Sequence, residues 1–338
     1  MKIVFLFGGQ GSQLPGMALD VRQEFSQTEQ LFQTAFSVNP DLEQVLHSES
    51  EDINQTGFTQ AAIALFGAAI TQVLQENGIE ADAAIGSSIG EYPALAALGV
   101  WSLTDMIKIA SARGSLMAER LSKRKAEGFS DGMHAVLGLT ETTIAPLLEK
   151  YDQLWITNIN DEKQVVISGQ IEQLVELESE LKQAGARRIV PLAVEGAFHT
   201  PIFAAEQKEL LQIIEQYPLS VPQKEFYFNR NAEPLSAITI SEDQQKKNIQ
   251  LWMSEQMISP VRFYQCGEKL FADQTKADIT ADETNGAADQ AESSEQFDLA
   301  VEISAKPVIA GMLRKNLKNI PTVQINSAEQ LKEFLQTI

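Results

Sequence analysis

The stretch Ala84-Ile85-Gly86-Ser87-Ser88-Ile89-Gly90-Glu91-Tyr92 sets two serines side by side between two glycines. An apolar run, Asp82 to Gly86, precedes it and reads as a strand. The residues that follow, Glu91 to Val100 ("EYPALAALGV"), read as a helix with Pro93 in the first turn, where a missing N–H is tolerated. Gly86-Ser87-Ser88-Ile89-Gly90 therefore fits G-x-S-x-G at a strand-to-helix turn. That pattern presents a nucleophilic serine on a sharp bend, and its glycines remove side chains that would clash there. Ser88 occupies the centre and is the nucleophile candidate; Ser87 fills the variable place before it. The helix N-terminus adds a field that favours an alkoxide or oxyanion. Five residues match such a pattern often by chance, so the weight rests on the strand-turn-helix context.

Outward from this elbow, short apolar runs alternate with longer helical patterns: "KIVFLF", helices around 17–36 and 59–77, "AAIG", then a helix from Ile89. This alternation predicts an α/β fold with a mostly parallel sheet, and the serine elbow makes it α/β-hydrolase-like. The pattern changes after Gly132. Strand "HAVLGL", helix "ETTIAPLLEKY", strands "LWITNI" and "QVVISG", helix "QIEQLVELESELKQAG" and strand "RRIVPLAV" follow in the order βαββαβ, which predicts an inserted ferredoxin-like subdomain. The expected organisation is a discontinuous large subdomain, 1–131 and 198–338, with a small subdomain, 132–197, and a cleft between them. Beyond His199 the sequence predicts helices, a strand at "EFYFN", a strand at "FDLAVEI" and a terminal helix. Residues 272–296 carry seven acids against the single Lys276, with one isoleucine and no aromatic side chain. Such a segment cannot bury enough apolar area to offset its ordering entropy, so it reads as a mobile acidic surface loop.

The bulk composition excludes several function classes. With 338 residues and 44% hydrophobic content the chain can fill a sizeable core. A formal net charge of −20 repels polyanions, which argues against nucleic acid and against an anionic membrane as partners of the whole surface. The single cysteine, Cys266, cannot form an internal disulfide, and a reducing cytoplasm fits. The three histidines, His47, His134 and His199, are too far apart in sequence to suggest a metal motif, so no metal is expected. The apolar run Ile3–Phe7 is too short for a signal-peptide core, and no run approaches the roughly 20 apolar residues of a membrane span. A monomer is expected.

A serine hydroxyl needs a base near neutral pH, and histidine is the usual one. His47 lies in the acidic "VLHSESED", and His134 opens a strand of the inserted lobe. His199, in "EGAFHTP", stands at the return from small lobe to large, where the cleft should be. Position favours His199.

At this point the sequence resembles the malonyl-CoA:acyl carrier protein transacylases and the related acyltransferases of polyketide synthases. "FLFGGQGSQLPGM" is similar to that family's opening F-P-G-Q-G-S-Q, "GSSIGEYPALAALG" to its G-H-S-L-G-E-Y elbow and "ARGSLM" to its R-G-x-L-M. "NDEKQVVISG", "GAFHTP", "EQMISPVRF" and "VEISAKPVIAGM" resemble later blocks, in order, from Phe5 to about Met312. The resemblance implies a dyad of Ser88 and His199, with the side-chain carbonyl of Gln256 orienting the imidazole. It implies an oxyanion hole from the backbone N–H groups of Gln10 and Ile89, and Arg113 forked onto the malonyl carboxylate, which a planar guanidinium can bind through two parallel hydrogen bonds. Phe198 resembles the phenylalanine that excludes an α-methyl branch, a steric bias of a few kcal/mol. No cofactor is implied. The implied partners are malonyl-CoA and an acidic acyl carrier protein bearing phosphopantetheine, for fatty acid or polyketide synthesis.

Three places depart from the family pattern. Gly8 replaces a proline and is expected to loosen the oxyanion loop, Ser87 replaces a histidine beside the acyl pocket, and Ser304–Lys306 ("SAK") replaces G-P-G. Because both this chain and the expected carrier are acidic, docking must use local cations. Arg187 and Arg188 are the leading candidates, beside Lys123–Lys125 and Arg314–Lys315. Two other readings stay open: an acyltransferase-like hydrolase that clears stalled acyl groups, against which Arg113 argues, and a non-catalytic scaffold, which Ser87 keeps alive.

Overall fold

In the computed structural model, which describes residues 1–235, 240–272 and 297–338, β1 (Ile3–Phe7) is buried at every position. It pairs in parallel on one side with β2 (Ala83–Gly86) and on the other with β7 (Leu299–Ile303), and β8 (Thr322–Ile325) extends the sheet beyond β7. The uninterrupted apolar run of β1 is what a strand covered on both faces requires, since side chains of either parity meet a core. One face packs on the cluster containing Phe5, Phe7, Ile70 and Leu74; the other packs Val4 and Leu6 on Phe263, Cys266 and Phe271.

The central layer of the large lobe is the helix Thr56–Glu76, laid along the helix Leu103–Ala126. They approach closely because Gly114 leaves room: a Cβ there would lie 3.1 Å from Gln60 Cβ and 3.2 Å from Thr56 O. By length and composition Thr56–Glu76 could cross a membrane, which corrects the expectation that no run approaches that length. In this fold 83% of its most apolar window is buried inside the protein, as in the core helix of an α/β layer.

The second sheet is antiparallel, in the order β4-β5-β3-β6, from β3 (Asp131–Leu137), β4 (Leu154–Asp161), β5 (Gln164–Gln170) and β6 (Arg188–Pro191). Helices Glu141–Leu148 and Ile171–Gln183 follow β3 and β5, which completes the βαββαβ order of a ferredoxin-like unit. Both cover one face around Ile144, Val165, Ile167, Leu174 and Leu177. On the other face Met133 and Val166 join the core of the large lobe.

Two connections fix this lobe to the first. Thr157 O accepts from Val261 N at 2.8 Å and Ile159 N donates to Val261 O at 2.9 Å, so the exposed edge of β4 is covered by the segment that follows Gln256. The strap Leu192–Thr200 then returns to the large lobe. Its Glu195 carboxylate accepts from the N–H and the hydroxyl of Thr56, both at 2.6 Å. The Thr56–Glu76 helix, whose own N-cap Gln55 makes no side-chain cap, is thus capped from 139 residues away.

Two sequence expectations need correction. "EFYFN" forms no strand; only an isolated bridge joins Tyr227 to Pro234, because the segment turns to send Asn229 inward. The helical pattern at 17–36 is broken into Leu19–Glu24, a short 3₁₀ turn and Glu29–Val38. The acidic stretch, from residue 273 to 296, lies outside the described residues.

Candidate active site

β2 ends at Gly86, Ser87 is extended, and Ser88, in the left-handed region with φ 53°, opens the 3₁₀ turn Ser88–Gly90 that leads into the helix Glu91–Ala97. The glycines are dictated by contact. A Cβ on Gly86 would lie 2.1 Å from Gly90 O, and one on Gly90 would lie 2.6 Å from the carbonyls of Phe7 and Gly8. The bend brings Ser88 Oγ to 2.7 Å from His199 Nε2. His199 also has a positive φ, 59°, and its Nδ1 lies 2.8 Å from the main-chain oxygen of Gln256. A carbonyl only accepts, so Nδ1 carries the proton and Nε2 is left as the acceptor facing the serine.

His199 is 5% exposed. Burial, and then the charge of Arg113, lower its pKa to about 3, so the imidazole is neutral at ordinary pH and free to take a proton. Gln256 differs from the expectation. Its side-chain carbonyl does not orient the imidazole, because that oxygen accepts from Arg113 Nη2 at 2.8 Å, while its Nε2 donates to Ser88 O and to Glu91 Oε2, each at 2.7 Å. The backbone carbonyl of the same residue does the orienting.

Arg113 is 1% exposed, in the middle of Leu103–Ala126. Nη1 donates to Gln60 Oε1 at 2.6 Å, and the guanidinium stands 5.7 Å from the Tyr92 ring centre. Its Nε is buried and has no hydrogen-bond partner among the described residues, and the residue lines a cavity of about 170 Å³ shared with Ser87, Ser88, Phe198 and His199. Among the described residues no carboxylate stands within ion-pair distance of Arg113, and a buried cation so placed on a cavity wall is suited to receive an anion. Glu91, a buried acid that feels the Arg113 charge, has its pKa raised by burial to about 7, against the pull of its hydrogen bonds to Gln256 and Asn229 and of that charge. A larger hollow of about 690 Å³, between Asn39, Phe58, Lys125 and Glu195, includes none of Ser88, His199 and Arg113. Chemistry, not volume, picks the smaller one.

The chain matches the model of the acyl transferase domain from residue 4 to residue 331. It belongs to the acyl transferase domain family. The malonyl CoA-acyl carrier protein transacylase of Bacillus subtilis (strain 168) is 28% identical, with 100% of this chain and 97% of that protein covered. Among solved structures, a malonyl-CoA:acyl carrier protein transacylase from Helicobacter pylori superposes with a TM-score of 0.80 at 25% identity, covering 100% of this chain and 98% of that one. A type II polyketide synthase acyl carrier protein in complex with its malonyl-transacylase gives 0.80 at 25% identity, covering both chains fully.

Against the family pattern, the first and third departures touch each other. A Cβ at Gly8 would lie 2.7 Å from Ser304 Cβ, so the glycine makes room for the serine of "SAK" and the loop is packed where loosening was expected. Gln10 lines the cavity after β1, and a Cβ on Gly9 would be 2.4 Å from Ser87 O, which brings the Gly8–Gln10 backbone against the elbow. Among the described residues neither Gln10 N–H nor Ile89 N–H has a protein acceptor. Ser87 stands on the cavity wall, and Phe198 stacks on Phe203 with ring centres 6.3 Å apart. Arg187 and Arg188 are exposed at the start of β6 and are not brought to the cavity. Sequence reading missed Gln60 and Asn229. Gln60 has no local signal. Asn229 could have been suspected only as a lone polar side chain ending the aromatic run "EFYF".

Proposed function

We propose that this chain moves a malonyl group from malonyl-CoA to the phosphopantetheine thiol of an acyl carrier protein. The observation that carries this reading is the pairing, in one cavity, of Ser88 and His199 at 2.7 Å with a buried Arg113 whose Nε has no partner among the described residues. A neutral acyl chain would leave that guanidinium unsatisfied, whereas the free carboxylate of a malonyl group completes it.

His199 Nε2 takes the Ser88 proton as Oγ attacks the thioester carbonyl. The tetrahedral oxyanion is received by the Gln10 and Ile89 N–H groups. As the carbonyl re-forms, the C–S bond breaks and the proton on His199 passes to the coenzyme A sulfur, leaving malonyl-Ser88. The carrier's thiol then gives its proton to His199 and attacks the ester; the Ser88 oxygen leaves and recovers that proton. Arg113 holds the carboxylate through both halves, so the ester stays registered while the thiols exchange. Phe198 and Ser87, on the cavity wall, bias which acyl groups fit.

Intact-protein mass spectrometry after mixing with malonyl-CoA tests this directly. The expected result is a malonyl adduct that is absent in Ser88→Ala and passes to added carrier protein. An adduct lost to water with none reaching the carrier makes the chain a hydrolase, and no adduct with any acyl-CoA makes it a scaffold.

A further inference from the structure

We propose that Asn229 is the positioning residue of the nucleophile, its amide fastening both sides of the serine elbow. Asn229 is fully buried. Its Oδ1 accepts from Ser88 N–H at 2.8 Å and its Nδ2 donates to Gly86 O at 3.0 Å. The two groups it joins flank the place where the chain enters the left-handed region. A serine there is uncommon and persists only when its surroundings hold it. The amide presents an acceptor and a donor on separate atoms, one for each side of the elbow, whereas an ionised carboxylate presents acceptors only.

Asn229 is also tied to the rest of the site. Its own N–H donates to Glu91 Oε1 at 2.7 Å, and the other Glu91 oxygen accepts from the Gln256 amide that also donates to Ser88 O. The main-chain oxygen of Gln256 holds His199. One residue thus links the backbone of the nucleophile to the residue that orients the base. Asn229 has no place in the cavity wall, so it acts through Ser88 and not on substrate.

The inference rests on Ser88 being the nucleophile, and its test separates the two. A neutral alkyl fluorophosphonate is attacked by Ser88 Oγ at phosphorus, with fluoride leaving and the proton passing to His199, and it makes no demand on Arg113. Asn229→Ala should slow labelling about 10-fold or more and lower kcat for malonyl transfer in parallel, with KM for malonyl-CoA nearly unchanged.

Asn229→Asp gives a readout that a merely structural role would not move. When the introduced carboxyl is protonated, its O–H can donate to Gly86 O while the other oxygen accepts from Ser88 N–H; when ionised, it repels Gly86 O and faces Glu91. Labelling of this variant, as a fraction of wild type at each pH, should therefore rise as the pH is lowered from about 8 to about 6. The groups around that position are Glu91, His199 beyond Ser88, Arg113 and the buried Cys266 thiol, whose Sγ donates to Phe228 O. The wild-type ratio cancels their titration. Labelling of Asn229→Ala within about 3-fold of wild type, or a flat ratio for Asn229→Asp, overturns the proposal. Wild type that is labelled at Ser88 but transfers no malonyl overturns the acyl-transfer reading and leaves the role of Asn229 standing.

Discussion

Ser88 and His199, the two groups 2.7 Å apart at the centre of the site, both sit at positive φ, so the chemistry rests on two backbone conformations that most residues avoid. Arg113 makes the sharpest prediction at this scale. Lysine keeps the charge but lacks the fork, so Arg113→Lys should lose about 10²-fold in kcat/KM for malonyl-CoA, roughly 3 kcal/mol, and come close to Arg113→Ala. Steady-state kinetics with malonyl-CoA and acetyl-CoA side by side checks this, the acetyl rate falling far less. His199 predicts a pH dependence. Its pKa is depressed from 6.5 to about 3, so the base stays neutral, and Ser88 labelling should hold down to about pH 4, where an unperturbed histidine would already be charged. The stability sign follows. Between 6.5 and about 3 the unfolded chain binds the proton and the folded one does not, so His199 lowers stability as the pH falls through that window and is neutral above it. The difference in unfolding free energy between wild type and His199→Ala should be constant above pH 6.5 and shift against wild type below it. Chemical denaturation at a series of pH values reads it.

At the scale of elements, the elbow and the strap that returns to it carry separate predictions. Gly90→Ala places a methyl group against two backbone carbonyls that cannot retreat, and should destabilise by more than about 3 kcal/mol. A sharp fall in melting temperature or insoluble expression is the expected outcome. Glu195→Ala removes the side-chain cap that Thr56 receives at the start of Thr56–Glu76 and should cost about 1 kcal/mol, with Glu195→Gln closer to wild type because an amide oxygen still accepts from Thr56. Thermal unfolding of the two variants tests this. These same elements show what a sequence can reveal. β1 and β2 were legible because a strand buried on both faces is apolar without interruption, and the elbow because steric demands put glycine at fixed spacing. The βαββαβ order was legible because periodicity changes from 2 to 3.6 and back within one segment. Asn229, which meets Ser88 across 141 positions, leaves no local pattern, and a main-chain carbonyl such as that of Gln256 leaves none anywhere. "EFYFN" misled because an aromatic run looks alike whether it joins a ladder or packs as an irregular segment.

For the whole molecule, the net charge of −20 makes docking of any anionic carrier depend on local cations. Reversing both Arg187 and Arg188, exposed at the start of β6, should raise KM for the carrier about 5-fold or more at low salt and much less at high salt, with malonyl-CoA kinetics little changed. An unchanged carrier KM would move the docking surface elsewhere. The main-chain bonds between Val261 and β4 tie the segment after Gln256 to the small lobe. The order of the strands bears on how such a protein is made. β1 is made well before the neighbour on one of its edges, β7, which begins only at Leu299, while the antiparallel sheet is complete by Pro191. The strands of the small lobe are therefore all present while synthesis continues, and the large lobe must wait with an unsatisfied strand edge until β7 has been made. A nascent chain already holds Ser88, His199 and Gln256 before it holds the sheet that aligns them, so translation that stops before β7 should yield a folded small lobe attached to an inert, association-prone remainder.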